Sequence, residues 1–245
     1  MKKHLPNLLT LLNLACGTAS IVFTLEGHWK MAVFLVLAAS LFDFLDGLAA
    51  RLLNAFSETG KMLDSLADMV TFGVVPGLFV YTVFKRLLVN LAGDSVEIWP
   101  PMQWIILSST LLIPVLSAIR LARFNAKNQD KARFFLGLPT PAHALFWTGF
   151  FWMFMRDGLL FGTPLNIFFL WAIMFVMAFH LVLPVPMLTL KFEHFKFRGN
   201  EMRVVVLLVV TLILLFTGIP GLTLAILSYI LLSLLNLLLL RRVSK

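Results

Sequence analysis

Charge is what this 245-residue chain has least of. Only 13% of its residues are Asp, Glu, Lys or Arg, against 60% hydrophobic residues, and the mean hydropathy is +0.94. A soluble core of this length cannot hide so much apolar side chain, so lipid is the solvent for most of it. Cysteine is nearly absent too, and the single Cys16 excludes an internal disulfide. Lys2 and Lys3 followed by an apolar run to Cys16 have the outline of a lipid-modified signal peptide. Asn13 and Leu14 stand where such a peptide needs an apolar and a small residue, and Pro6, Asn7 and Thr10 interrupt its apolar region. An uncleaved first helix is therefore expected. A concentrated basic patch is also missing. The net charge of +8 is spread over alternate loops, which argues against a nucleic-acid partner.

What is present is a series of apolar runs. A bilayer-spanning helix needs about 20 mostly apolar residues. By that measure about eight transmembrane helices are expected, at 5–26, 29–51, 61–84, 103–124, 140–156, 165–189, 203–218 and 221–240. The connections are too short for a soluble domain, so the chain reads as one all-α integral membrane domain, 1–245. With the N-terminus inside, only Lys30, Lys85, Arg86 and Arg156 of the twenty basic residues fall outside. That bias favours a cell-membrane protein with both termini cytoplasmic. The aromatic run 146–154, "FWTGFFWMF", is expected to face lipid and the interface, and His143 and His180 to be hydrogen-bonded interior residues. Gly218, Pro220 and Gly221 mark a tight turn. The last two helices lie against the rest of the bundle or against a second subunit, so a homodimer stays open.

Against that scarcity of charge, five of the twelve acids fall within "FDFLDGLAARLLNAFSETGKMLDSLADMVTFG", residues 42–73, and four of the five, all aspartates, lie inside two apparent spans. Asp43, Asp46, Ala50 and Arg51 are at i, i+3, i+7 and i+8, one face of a helix; Gly60, Asp64 and Asp68 are at i, i+4 and i+8, again one stripe. A turn at 52–60 makes the two helices antiparallel neighbours with facing stripes. Gly47 and Gly60 leave room there for a neighbouring backbone or a bulky ligand. The expected result is a cup of carboxylates opening toward the cytoplasm. An acid at mid-bilayer costs roughly 2.5–3.5 kcal/mol on insertion scales, so such a cluster is functional by default. One arginine cannot neutralise four acids. Mg²⁺ or Mn²⁺ can, because hard divalent cations take carboxylate oxygens and keep positions for water or a phosphate.

The pattern Asp43-x2-Asp46-Gly47-x2-Ala50-Arg51-x8-Gly60-x3-Asp64-x3-Asp68 resembles the full signature of the CDP-alcohol phosphatidyltransferases, with no departure at any of its eight positions. The resemblance implies a membrane enzyme on a six-helix core that displaces CMP from a CDP-linked lipid or alcohol with an incoming hydroxyl. Here the core is residues 1–190, with a basic loop and two added helices at 191–245. Within the family, "LPNLLTLLNLACG" at 5–17, "RLARFN" at 120–125 and "GLPTP" at 137–141 are similar to the membrane-embedded phosphatidylserine synthases. The implied substrates are CDP-diacylglycerol and L-serine, in a setting of membrane lipids; the implied products are phosphatidylserine and CMP.

The residue types suit that reaction. Departing CMP and the pyrophosphate need their charge neutralised, which two clamped divalent ions do in phosphoryl-transfer sites generally. Asp43, Asp46 and Asp64 are the expected metal ligands, with Asp68 able to add an oxygen. Arg51 offers a fork of donors to phosphate. Gly47 and Ala50 leave room for the nucleotide, Gly60 belongs to the same surface, and Asn7 and Thr10 are further candidates for nucleotide contacts. Asp68 matches the proton acceptor for the attacking hydroxyl, a role worth about 10²–10⁴-fold. Serine carries a carboxylate that an arginine fork suits, which makes Arg120, Arg123 and Arg133 the candidates for the acceptor; each can equally be a cytoplasmic anchor.

Two other readings fit less well. Enzymes with paired His-x-Lys-x4-Asp motifs also make phosphatidylserine, but His28-Trp29-Lys30 has Leu35 at the acid position and His194-Phe195-Lys196 has Glu201. A cation or proton transporter needs acids through the membrane or an inverted repeat, and neither is present. Glycerol 3-phosphate or an inositol phosphate as acceptor is the nearer alternative.

Overall fold

The computed structural model describes residues 4–92, 101–126, 134–157, 164–189 and 200–243. It is an all-α membrane protein with one small two-stranded ribbon among the described residues. Helices α1 (Leu5–Leu25) and α2 (Trp29–Leu52) form the first hairpin. Helix α3 (Glu58–Asp68) runs through a π-helical turn, Met69–Val74, directly into α4 (Val75–Ala92). Next come α5 (Pro101–Ser109), α6 (Leu112–Ala126), α7 (Thr140–Asp157), α8 (Pro164–His180), α9 (Glu201–Thr217) and α10 (Gly221–Val243).

Among the described residues, five stretches are long and apolar enough to cross a membrane: 5–25, 29–52, 58–90, 101–126 and 221–238. The other three expected spans correspond to α7, α8 and α9, of 18, 17 and 17 residues. The fourth span is broken at Thr110–Leu111, where Pro114 has no N–H to give the carbonyl of Thr110. Gly77 fills the break from α4, since a Cβ there would lie 3.0 Å from Pro114 Cδ. The sixth span stops earlier than its hydropathy suggests. Its helix ends at His180, and Pro184 and Pro186 turn the chain into β2 (Pro186–Leu188). That strand pairs antiparallel with β1 (Phe134–Leu136), Phe135 opposite Met187. Gly137, at φ +79°, bonds Val185 through its N–H and lets the chain enter α7 beside Leu181.

Helix α7 is the centre of the bundle. It packs on α2, α4, the π turn, α6 and α10. Its aromatic run does not face lipid: Phe146, Trp147, Phe150, Phe151 and Phe154 are all buried, with Phe151 stacked on Phe79 at 4.1 Å between centroids. Five neighbours leave α7 no lipid-facing side for these rings, whatever their affinity for the interface. His143 is the interior residue expected, fully buried and accepting the Trp147 indole N–H at 3.0 Å. His180 is only half-buried, and its Nε2 is enclosed without a protein partner, so the interior hydrogen bond expected of it is not made at that nitrogen.

The final helix pair lies on this core. Gly149 of α7 permits close approach of Thr223 and Leu222, Thr223 donates to the carbonyl of Phe146, and the Tyr229 hydroxyl donates to the carbonyl of Leu188 in β2. The expected tight turn is present, with Gly218 at φ +67°.

Candidate active site

The site is assembled at the end of the bundle where α1 begins, α2 ends and α3 begins. Helix α2 delivers Asp43 and Asp46 from its last turns, then stops at Leu52, and Asn54 turns the chain with φ +48°. Ser57 opens α3 by accepting the Gly60 N–H on its hydroxyl at 3.0 Å, satisfying one of the donors a helix start leaves free. From that start Asp64 and Asp68 fall one turn apart. The π turn begins immediately after Asp68, an insertion of the kind often found at functional positions.

The two acid-bearing helices are not the direct neighbours expected. Each packs on α1, and they touch one another little. The cup is therefore the gap between α2 and α3, with α1 as its wall. That wall is polar: the buried residues of α1 are Pro6, Thr10, Asn13, Gly17, Ser20 and Thr24, while Leu5, Leu8, Leu11 and Leu12 are exposed. Across the gap, one carboxylate oxygen each from Asp43, Asp64 and Asp68 lie within 4.8 Å of one another. Asp46 is buried and set apart from that trio, its Oδ2 accepting a 2.6 Å hydrogen bond from the Thr10 hydroxyl. Among the described residues none of the four acids makes an ion pair with Arg51 or Lys61. Lys61 instead reaches the carbonyl of Asn125 at 3.4 Å, and Arg51 is exposed.

This donor set fits a divalent cation. Three carboxylates held this close repel one another, and Asp64 Oδ1 is buried without a hydrogen-bond partner. Buried polar atoms are rarely left so. A hard cation removes both penalties and prefers the oxygen ligands supplied.

The remaining expected site residues divide into groups. At Gly47 a Cβ would meet nothing within 4 Å, so that face is open space beside the acids; Ala50, next along α2, is half-buried. Gly60 is different: a Cβ there would stand 2.9 Å from Asn7 Oδ1, so it brings the start of α3 onto α1 and places Asn7 at the rim. The "RLARFN" segment is tied to the site by Asn125, which donates to the Ser65 hydroxyl at 2.7 Å. Arg120 is half-buried, spends Nη1 on the Thr140 hydroxyl at 3.1 Å and keeps a buried Nε without a partner. Arg123 is exposed and donates to the carbonyl of Val182 at 3.1 Å, which closes α6 onto the turn after α8. Arg133 lies outside the described residues.

Two site residues had no place in the motif. Asn13 donates to Asp68 Oδ1 at 3.4 Å, and Thr71 in the π turn donates to the main-chain carbonyl of Asn13 at 3.3 Å. Asn13 had a signal available: a polar residue in an apolar helix, three after Thr10 on the same stripe.

The family model described as CDP-alcohol phosphatidyltransferase matches residues 3–239. A CDP-diacylglycerol–serine O-phosphatidyltransferase of Mycobacterium leprae (strain TN) is 39% identical over 147 residues, 58% of this chain and 44% of that protein. One of Bacillus subtilis (strain 168) is 34% identical over 138 residues, 56% of this chain and 70% of that protein. An archaetidylserine synthase of Methanothermobacter thermautotrophicus is 33% identical over 149 residues, 60% of this chain and 57% of that protein. The matched part spans about half the length of the mycobacterial relatives, between 44% and 51% of them.

Proposed function

This chain belongs to the CDP-alcohol phosphatidyltransferase family, and from that premise we propose that it transfers the phosphatidyl group of CDP-diacylglycerol to the hydroxyl of L-serine. The products are phosphatidylserine and CMP. The observation that carries the chemistry is the meeting of Asp43, Asp64 and Asp68 within 4.8 Å in a gap between helices. The serine acceptor rests on the names of the relatives and on Arg120.

Asp43, Asp64 and Asp68 would hold Mg²⁺ or Mn²⁺, with Asp46, outside that trio, able to add the oxygen that Thr10 leaves. Two bound ions would neutralise the pyrophosphate and the charge on departing CMP. Gly47 and Ala50 provide the open surface for the nucleotide, with Asn7, Thr10, Arg51 and the Gly60 backbone around it. The serine oxygen attacks the lipid-linked phosphorus as the bond from that phosphorus to the CMP oxygen breaks. Asp68 takes the hydroxyl proton. Arg120, with a buried donor to spare, holds the serine carboxylate; Arg123, already committed to Val182, has the weaker case. The bias of basic residues supports both termini and the site on the cytoplasmic side.

The test is turnover by the purified protein in detergent with CDP-diacylglycerol, Mn²⁺ or Mg²⁺, and radiolabelled serine. Labelled phosphatidylserine and CMP should appear together and stop with EDTA. Turnover with glycerol 3-phosphate or inositol phosphate but none with serine would reject the acceptor and keep the family chemistry.

A further inference from the structure

The acid gap contains one fully buried polar side chain that metal, nucleotide and acceptor leave without a task. Asn13 is 0% exposed. Its Nδ2 donates to Asp68 Oδ1 at 3.4 Å, and its Oδ1 is buried with no partner. A buried amide half-satisfied in this way is costly, so packing alone would favour an apolar residue of the same size. The backbone around it is held with care. Thr71 donates to the Asn13 carbonyl, and a Cβ on Gly17, one turn along α1, would collide with Thr71 Oγ1. Asn13 is thus anchored to the same π turn that begins immediately after Asp68.

The direction of the amide matters. An Asn presents N–H donors at one end and an acceptor oxygen at the other, whereas an ionised carboxylate only accepts. With Nδ2 toward Asp68 the contact is attractive; turned over, two oxygens would face each other. Asp68 also borders the carboxylates of Asp43 and Asp64, each with an oxygen within 4.8 Å.

We infer that Asn13 is the positioning residue of Asp68, holding that carboxylate beside the acceptor's oxygen by an amide hydrogen bond fixed through Thr71. The inference rests on the reading of Asp68 as proton acceptor. Asn13 then acts through Asp68 alone, and removing it lowers the rate of the chemical step without weakening nucleotide capture.

The experiment is a double-mutant cycle on the full chain in detergent: wild type, Asn13→Ala, Asp68→Asn and the double variant. It reads serine turnover and Mn²⁺-dependent CDP binding. Asn13→Ala should lower kcat about 10- to 100-fold, the size of a hydrogen bond to a charged group, with CDP binding and the KM for CDP-diacylglycerol within about three-fold of wild type. The double variant should be no slower than Asp68→Asn, because a residue acting through another has nothing left to act on. Asn13→Leu, which fills the space, should repeat the result if the alanine variant does not fold. Asp68→Asn with wild-type turnover would remove the reading of Asp68, and the inference with it. Asp68→Asn inactive beside unchanged kcat in Asn13→Ala and Asn13→Leu would remove the inference alone. Multiplicative losses in the double variant, or parallel loss of CDP binding and thermal stability in both Asn13 variants, would make Asn13 a structural residue and overturn it.

Discussion

Helices α1 and α7 are both apolar rods, yet they face opposite ways. Helix α1 turns Thr10, Asn13, Gly17, Ser20 and Thr24 inward and its leucines outward; α7 buries Phe146, Trp147, Phe150, Phe151 and Phe154. In water the second arrangement would be the rule. In lipid, tails are as apolar as leucine, so hydrophobicity no longer distinguishes inside from outside, and small or polar residues bring helices together. Helix α1 lets backbones approach and aims hydrogen bonds at the acids. Helix α7 fills volume. One helix builds the site and the other builds the fold, and substitutions should separate the two.

The largest effect belongs to the acids that α1 faces. Asp64→Ala removes a member of the carboxylate trio, and with it several kcal/mol of charge stabilisation at the reacting phosphate. Serine turnover should fall by on the order of 10³-fold or more. Metal-dependent CDP binding should fall with it, while the thermal midpoint in detergent holds or rises, since a crowded carboxylate has gone. Retained CDP binding with full metal dependence would mean that Asp64 is no ligand.

On the α7 side the loss should be of stability. Phe151→Ala deletes a ring that is 1% exposed and stacked on Phe79, a change that costs about 3–5 kcal/mol in a packed interior. The thermal midpoint should drop sharply, while kcat per folded molecule below the transition stays near wild type. An equal loss of kcat would show that the aromatic core and the acid gap are not separable.

This division explains which parts of the molecule were legible in the sequence. The clustering of the four aspartates could be read because acids are costly in lipid and helical spacing fixes their faces; that Asp68 rather than Asp46 groups with Asp43 and Asp64 depends on packing and could not. Most span boundaries could be read because hydropathy measures length. Hydropathy carries no facing information, so it cannot tell the buried aromatic run of α7 from a lipid-facing one, nor single out Asn13 among leucines. It also does not register a lost backbone hydrogen bond, so the break before Pro114 and the early end of α8 leave no trace in it. The π turn has no residue-type signature at all: "MVTFGV" would serve as ordinary α-helix, and the turn is packed on α1, α4, α6 and α7, with Thr71 close against Gly17.

A finer test of the polar wall is Thr10→Val, which keeps the shape and loses the 2.6 Å bond to Asp46 Oδ2. Hydrogen bonds to charged groups are worth about 1.5–3 kcal/mol, so kcat/KM should fall roughly 10- to 100-fold. The Mn²⁺ concentration for half-maximal activity should rise, and the thermal midpoint should barely move. An unchanged Mn²⁺ requirement would place Thr10 among nucleotide contacts alone.

The smallest effect is expected on the outer face of the same helix. Leu11 is 47% exposed and lies opposite the polar stripe. Leu11→Ala therefore trades contact with lipid tails for contact with lipid tails. No cavity forms, because the bilayer closes over the shorter side chain, and the helix propensity of alanine is at least as good as that of leucine. The change in stability should be within about 0.5 kcal/mol, as for substitutions away from any packed or hydrogen-bonded feature, and serine turnover should be unaltered. The truncation of Phe151 inside α7 is expected to cost several times more, although both side chains are apolar. A large loss at Leu11 would mean that this leucine face is covered by protein rather than lipid. A second copy of the chain is the simplest cover, and the loss should then depend on protein concentration, which dilution in detergent would reveal.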